Sequence, residues 1–270
     1  MYEKMNSQSI QATMLIPLYG RTIAGRRFPG ILRDTAAERI VDSVDFDFSG
    51  VASVYGTEYA ALTCLVRAAR MDECARVFLS THPDGTVVNL GAGLDDTFSR
   101  VDNGAALWYN LDLPDAIAYR EQFFAPTERC RNIAKSMFDY TWLDDIGTPE
   151  QALVLAAGLF FYFEESEIRR LVEKICEHFP ACCLVFESCS RRGMKIANKL
   201  VRKTGITGAE MKCFVNNAAQ VKGWSPKISS AACLPFFEGR YKDKRFSLLT
   251  RFLMWGADFL CKTKFVVVRW

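Results

Sequence analysis

The stretch TVVNLGAGLDDTF, residues 86–98, decides how the rest of the chain reads. Its first residues, TVVNL (86–90), form the short apolar run of a buried strand. Gly91-Ala92-Gly93 follows, a turn tight enough for a ligand to touch bare main chain. Asp95 and Asp96 come next, where DTFSRV (96–101) can begin a helix. The ligand of such a turn accepts close backbone and tolerates carboxylates where the helix starts.

Outward from this stretch, strand and helix alternate. AALWYNLDL (105–113) predicts a second strand stopped by Pro114, with PDAIAYREQFFAP as a helix after it. RNIAKSMF (131–138), ALVLAAG (152–158), CCLVFES (182–188) and the final KFVVVRW predict further strands. Residues 164–179 predict an amphipathic helix, with Ile168, Leu171, Val172, Ile175 and Phe179 on one face and Pro180 after its end. SRRGMKIANKLVRKTG predicts a basic helix ended by Gly205. Residues 10–82 read as mostly helical. This alternation predicts an α/β fold: a doubly wound, mostly parallel seven-stranded sheet covered on both faces, with a helical N-terminal lid. Ligands in such sheets sit at the carboxyl ends of the central strands. Here those ends are GAGLDD, NLDLP and SMFDYTW.

The chain of 270 residues is half apolar and has no Pro/Gly/Ser-rich linker, so it reads as a single domain over 1–270. Within it, 1–60 form a helical lid on the substrate side, 84–190 a cofactor-binding core and 191–235 a cap insert. Net charge is +3, but residues 191–270 carry 17 Lys and Arg against 4 Asp and Glu. That imbalance suits a solvated basic face or an acidic partner. Without interleaved aromatics in an RNA-binding pattern, nucleic acid is not expected. Ten cysteines lack any Cys-x-x-Cys pair and sit in apolar runs, and there are two histidines. We therefore expect reduced thiols, no metal site and a cytoplasmic setting. The N-terminal MYEKMNSQSIQ has no signal-peptide core, and ALVLAAGLFFYF (152–163) is too short to span a bilayer, so no membrane partner is expected.

Two cofactor classes use a Gly-x-Gly turn of this kind. Nicotinamide and flavin dinucleotides place a pyrophosphate on the helix N-terminus and want a third glycine, where this chain has Asp96 behind Asp95. Carboxylates there repel phosphate. S-adenosylmethionine carries a sulfonium, an ammonium and one carboxylate, and it needs no phosphate cradle. Asp112, at the end of the second strand, can accept two ribose hydroxyls in either class. It can also cap the helix that begins at Pro114.

TVVNLGAGLDDTFSRV, WYNLDLP, IAKSMFDYTWL and LVLAAGLFFYFEESEIRRLV, in this order, resemble the leucine carboxyl methyltransferase superfamily. The bacterial branch similar to the tetracenomycin polyketide O-methyltransferase is the nearest in look. The resemblance covers roughly residues 12–225. It implies a class I methyltransferase fold with S-adenosylmethionine as cofactor. It further implies that Gly91, Ala92 and Gly93 line the methionine part and that Asp112 and Leu113 hold the ribose and adenine edge. It makes Arg67, or else Arg70, the clamp on the cofactor carboxylate, as a bidentate guanidinium suits. At the third strand's end the family often has Asp-Leu; here Met137 and Phe138 align there, with Asp139 one place late. At the fourth strand's end Ala157-Gly158 replaces Glu-Gly, which removes a carboxylate from the pocket and weakens a protein C-terminus as substrate.

The resemblance also places Tyr162 beside the reacting centre, and Tyr19 and Arg21 on the substrate side. The segment from Gly208 to about Trp224 looks like a cap over the pocket. The implied reaction is O-methylation of a small molecule, a carboxylate or a phenol of polyketide type. A carboxylate acceptor needs no base, whereas a phenol does. His82 and His178 read as structural or exposed, so no base is named. Two other readings stay open: a nicotinamide-dependent oxidoreductase, and a cofactor-binding protein without catalysis. Oligomeric state is not read from the sequence.

Overall fold

In the computed structural model, which describes residues 10–204 and 210–270, four helices precede the first strand. They are α1 (Ile10–Arg27), α2 (Thr35–Ser43), α3 (Ser49–Tyr55) and α4 (Glu58–Thr81). Then come β1 (Thr86–Leu90), α5 (Thr97–Val101), β2 (Leu107–Asp112), α6 (Pro114–Arg120), β3 (Cys130–Ala134) and α7 (Trp142–Ile146). β4 (Ala152–Ala156), α8 (Glu165–His178), β5 (Cys182–Ser188), α9 (Arg191–Thr204) and α10 (Ala218–Lys222) follow. The chain closes with β6 (Ser230–Pro235), α11 (Leu248–Gly256) and β7 (Lys264–Arg269). The N-terminal MYEKMNSQS, Gly205 and Gly208 lie outside the described residues.

The seven strands form one sheet of order β3-β2-β1-β4-β5-β7-β6. The β1–β5 neighbours pair in parallel, and β7 runs antiparallel to both β5 and β6. The alternation of side chains along a strand explains why β1 and β4 are buried throughout. Val88, Leu90, Val154 and Ala156 face one side, where α8 lays down Ile168, Leu171, Val172 and Ile175. Val87, Leu153 and Leu155 face the other, against Leu62, Leu65 and Val66 of α4. The expected face of α8 is buried as read, and Glu164 with Glu167 closes a capping box at its start.

Three expectations are corrected. Residues 230–235, read as part of a cap, are the edge strand β6. SAACLP is half exposed and ends in proline, which an edge strand accepts because no neighbour needs its missing N–H. β3 ends at Ala134, so Met137 and Phe138 stand in the turn beyond it. β4 ends at Ala156, leaving Ala157 and Gly158 in the connection. No helix among the described residues is long and apolar enough to cross a membrane.

Candidate functional site

β2, β1 and β4 are parallel neighbours, so their carboxyl ends stand together at one edge of the sheet, where ligand crevices of such folds lie. Gly91 and Gly93 both adopt left-handed backbone, φ +63° and +46°. A Cβ at Gly91 would stand 2.9 Å from Leu159 Cδ1, beyond β4, so a larger residue would have to displace that side chain as well as strain the left-handed backbone. The N–H groups of Gly91 and Ala92 both donate to the Leu111 carbonyl, at 2.8 and 3.2 Å. Asp112 stitches the two strand tips together: Oδ2 accepts the Gly93 N–H at 2.8 Å and Oδ1 the Leu113 N–H at 2.8 Å. Each oxygen keeps a lone pair for a further donor. Burial raises the Asp112 pKa, against the pull of those two amides. Leu113 stands exposed beside it.

Asp95 is spent differently. Its Oδ2 accepts from Asn89 and from the Thr97 N–H, both at 3.2 Å. Its Oδ1 faces Arg100 at 3.3 Å and Arg21 at 3.6 Å. Arg100 also grips Asp72 at 2.8 Å and Asp34 at 3.0 Å. Asp34 in turn caps α2 through the Ala37 N–H. Arg120, on α6, donates to the carbonyls of Gly93 and Asp95 at 3.0 and 2.5 Å. Burial works to raise the Asp95 pKa, but Arg100 and Arg21 outweigh it and bring the group down to about 2. The repulsion that argued against a pyrophosphate is thus largely neutralised at Asp95. Asp96 accepts from Ser99 Oγ at 2.8 Å.

Arg21, expected on the substrate side, is buried in this network; with Asp34 at 3.1 Å, it ties α1 to the glycine turn. Tyr19 stacks on Phe48 at 4.9 Å within the helical lid. Met14 lies over Gly93, 3.4 Å from where a Cβ would be, and Leu15 and Leu18 pack with Leu94.

The two candidate arginines of α4 separate clearly. Arg67 Nε donates to both oxygens of buried Glu187 on β5, at 2.7 and 2.8 Å. Its guanidinium lies against Gly158, where a Cβ would be 3.1 Å from Cζ. Neither terminal nitrogen has a hydrogen-bond partner among the described residues. Arg70 bonds Glu238 and Glu73 instead. It sits over Phe265 and lines a cavity of about 410 Å³ that runs along this face from Leu234 and Glu238 to His82, Ala152 and Cys182.

Tyr162, 42% exposed, lies within electrostatic reach of Arg67. The Phe161 carbonyl beside it accepts the Lys212 and Cys213 N–H groups at 2.6 and 3.2 Å, which brings the segment after residue 210 against this turn. Met137 is buried, and its carbonyl accepts from Trp142 Nε1 at 3.0 Å. Phe138 packs edge-on against Phe163 at 5.0 Å. Asp139 points to solvent with its carboxylate on Thr141 Oγ1 at 2.7 Å, which also lowers its pKa. It does not join Asp112 in the crevice. His178 bonds the Gly147 carbonyl at 2.8 Å and His82 ends α4, so both histidines sit at the far end of the strands. Among the described residues no group of His, Cys, Asp and Glu could hold a metal, and all ten cysteines are free thiols.

Arg100, Arg120 and Glu187 were not read from the sequence. Arg120 carries a signal in hindsight, an arginine one helical stretch after the NLDLP strand end. Glu187 does so too, as the acid inside an apolar strand that needs a partner.

No protein-family model matches the chain. The tetracenomycin polyketide synthesis O-methyltransferase of Streptomyces glaucescens is 30% identical over 210 residues, 77% of this chain and 77% of that protein. An S-adenosyl-L-methionine-dependent methyltransferase of Gibberella zeae is 27% identical over 65% of this chain and 63% of its own length. Among solved structures, a DUF574-family protein from Streptomyces avermitilis superposes with a TM-score of 0.56 at 12% identity, over 93% of this chain and 96% of that one. A candidate methyltransferase from Thermobifida fusca does so with a TM-score of 0.57 at 12% identity, over 93% of this chain and 92% of that one. These two likenesses show the Rossmann-like methyltransferase fold, and the sequence relationship shows the lineage: the chain belongs to the S-adenosylmethionine-dependent methyltransferase family that includes the tetracenomycin polyketide synthesis O-methyltransferase.

Proposed function

We propose that the chain catalyses O-methylation of a small molecule whose accepting oxygen arrives ionised. The observation that carries the reading is the joined tip of β1 and β2. There Asp112 holds two backbone amides and keeps free lone pairs beside a turn whose two glycines contribute no side chain of their own, with Leu159 and Met14 packed near it.

S-adenosylmethionine, when bound, supplies an electrophilic methyl group on a sulfonium. In this reading Gly91, Ala92 and Gly93 give main-chain contact to its methionine part, and the terminal nitrogens of Arg67 take its carboxylate. Glu187 fixes Arg67 for that task. Asp112 accepts the ribose hydroxyls. Leu113, Ala157 and Phe138 flank the adenine, with Met137 bracing the turn behind Phe138 and Asp139 left at the solvent edge. The described part of the lid, residues 10–60, covers the glycine turn, with Met14 over Gly93. Arg21 and Tyr19 belong to that lid as bracing rather than as substrate contacts. The segment from 210 to about 224 walls the substrate side next to Tyr162, which orients the acceptor.

No histidine stands at this end of the sheet, and Asp95 and Glu187 are committed to arginines. A carboxylate or an acidic phenol needs no proton removed in the pocket, so such acceptors fit best. Reduced thiols suit a cytoplasmic setting.

Calorimetry with S-adenosylhomocysteine and with NAD tests the cofactor. We expect the first to bind tighter than about 100 µM, roughly 5–6 kcal/mol, and the second not to bind. The reverse would make the protein an oxidoreductase. Turnover on a panel of aromatic acids and phenols then separates an enzyme from a cofactor-binding protein without catalysis.

A further inference from the structure

Between β6 and β7 the chain turns a large apolar surface outward. α11 and the π-helical turn Ala257–Cys261 after it bury Thr250, Met254 and Ala257 against the body of the protein. Leu248, Leu249 and Phe252 are 80%, 68% and 63% exposed, and Leu253, Trp255, Phe259 and Leu260 stand out beside them. Phe252, Trp255 and Phe259 form a continuous ridge, with ring centroids 6.0 and 5.8 Å apart. Scattered exposed leucines are ordinary, but a patch this dense on one helical run marks a contact surface.

Its surroundings are basic. Lys242, Lys244 and Lys262 are exposed at its edge. α9 abuts it: Ser190 Oγ donates to the Cys261 carbonyl at 2.7 Å, and Gly193 has no room for a Cβ against the Cys261 backbone. α9 contains no acid and exposes Arg192, Lys195 and Lys199. The two acids of residues 240–263 are engaged, Asp243 with Arg245 at 2.6 Å and Asp258 with the Phe237 N–H at 3.0 Å. Lys264, which opens β7, pairs with Ser188, which closes β5, so the patch lies at the crevice end of the sheet. Ser247, just before α11, donates its N–H to Glu58 at the start of α4.

We propose that this surface docks the protein on an anionic lipid bilayer, the aromatic ridge in the headgroup layer and the basic rim over acidic headgroups; the expectation of no membrane partner rests on spanning segments and does not weigh such a surface. Trp, Phe and Leu on one face with Lys and Arg around them is the composition of an interfacial helix. A second copy is the poorer occupant, because a twofold pairing sets the basic rim against itself.

Co-sedimentation of the full chain with vesicles of phosphatidylcholine alone, or mixed with phosphatidylglycerol, tests this. Binding to the mixed vesicles is expected to be at least about tenfold stronger, and to weaken as salt is added. Leu249→Asp with Phe252→Asp abolishes it, and Lys195→Glu with Lys199→Glu reduces it to the phosphatidylcholine level. Circular dichroism checks the fold of each. The lysine pair lies on an exposed helix face, so it decides the matter even if the aspartate pair misfolds. Equal binding to both vesicles, or none, overturns the proposal. So does a concentration-dependent dimer in light scattering that the aspartate pair dissolves.

Discussion

Asp95 follows β1 and Asp112 closes β2, and the fold uses these neighbouring acids in opposite ways. Asp95 is ringed by Arg21 and Arg100, with Arg120 on its carbonyl, and its pKa is held near 2. Asp112 makes no ion pair among the described residues; two backbone amides hold it, Arg120 acts on it only from a distance, and burial raises its pKa. An acid saturated by buried cations locks structure. An acid hydrogen-bonded by amides and not ion-paired keeps capacity for a ligand. Position near a glycine turn therefore does not identify a binding residue; the partners already taken do.

The sharpest break of this contrast is Asp95→Ala. It leaves Arg21 and Arg100 short of a counter-charge in a buried site, and a stability loss of about 3–5 kcal/mol is expected in denaturant unfolding. The acid limb gives a second readout. A folded pKa of about 2 lies below the ordinary carboxylate value, so the stabilisation is complete above about pH 4 and is lost as pH falls toward 2. It amounts to about 2 kcal/mol, and the variant should show a correspondingly flatter acid transition. Asp112→Ala comes next. Affinity for S-adenosylhomocysteine should fall by about 1–3 kcal/mol in calorimetry, with a smaller loss of stability than at Asp95. Unchanged affinity would remove Asp112 from the binding site. The smallest effect separates the arginines. Arg67→Lys should weaken cofactor affinity about tenfold, since lysine cannot serve Glu187 and a ligand carboxylate together. Arg70→Lys, whose guanidinium is turned to Glu238 and Phe265 instead, should leave it unchanged; equal losses would defeat the assignment.

The core of the fold was legible because its signals are local. TVVNL and ALVLA announce strands buried on two faces, and Ile168 to Phe179 announce one helical stripe. β6 escaped because SAACLP is a half-exposed edge strand of small residues with little alternation. Arg21, expected on the substrate side, turns inward to Asp34 and Asp95. Those partners lie far along the chain, and no spacing rule links them. The same limit hid Glu187, 120 positions from Arg67. LLTRFLMWGADFL reads equally well as a buried helix or an exposed one, and only packing shows which.

By itself the sequence determined the alternation of strand and helix, the glycine turn and the acid at the end of the second strand. Each of these depends on the periodicity and conformational freedom of a few adjacent residues. Tertiary structure alone decided which acid is locked, which arginine faces the crevice and which apolar helix is left uncovered. Those outcomes depend on charges and surfaces that meet only after the sheet has brought distant segments together.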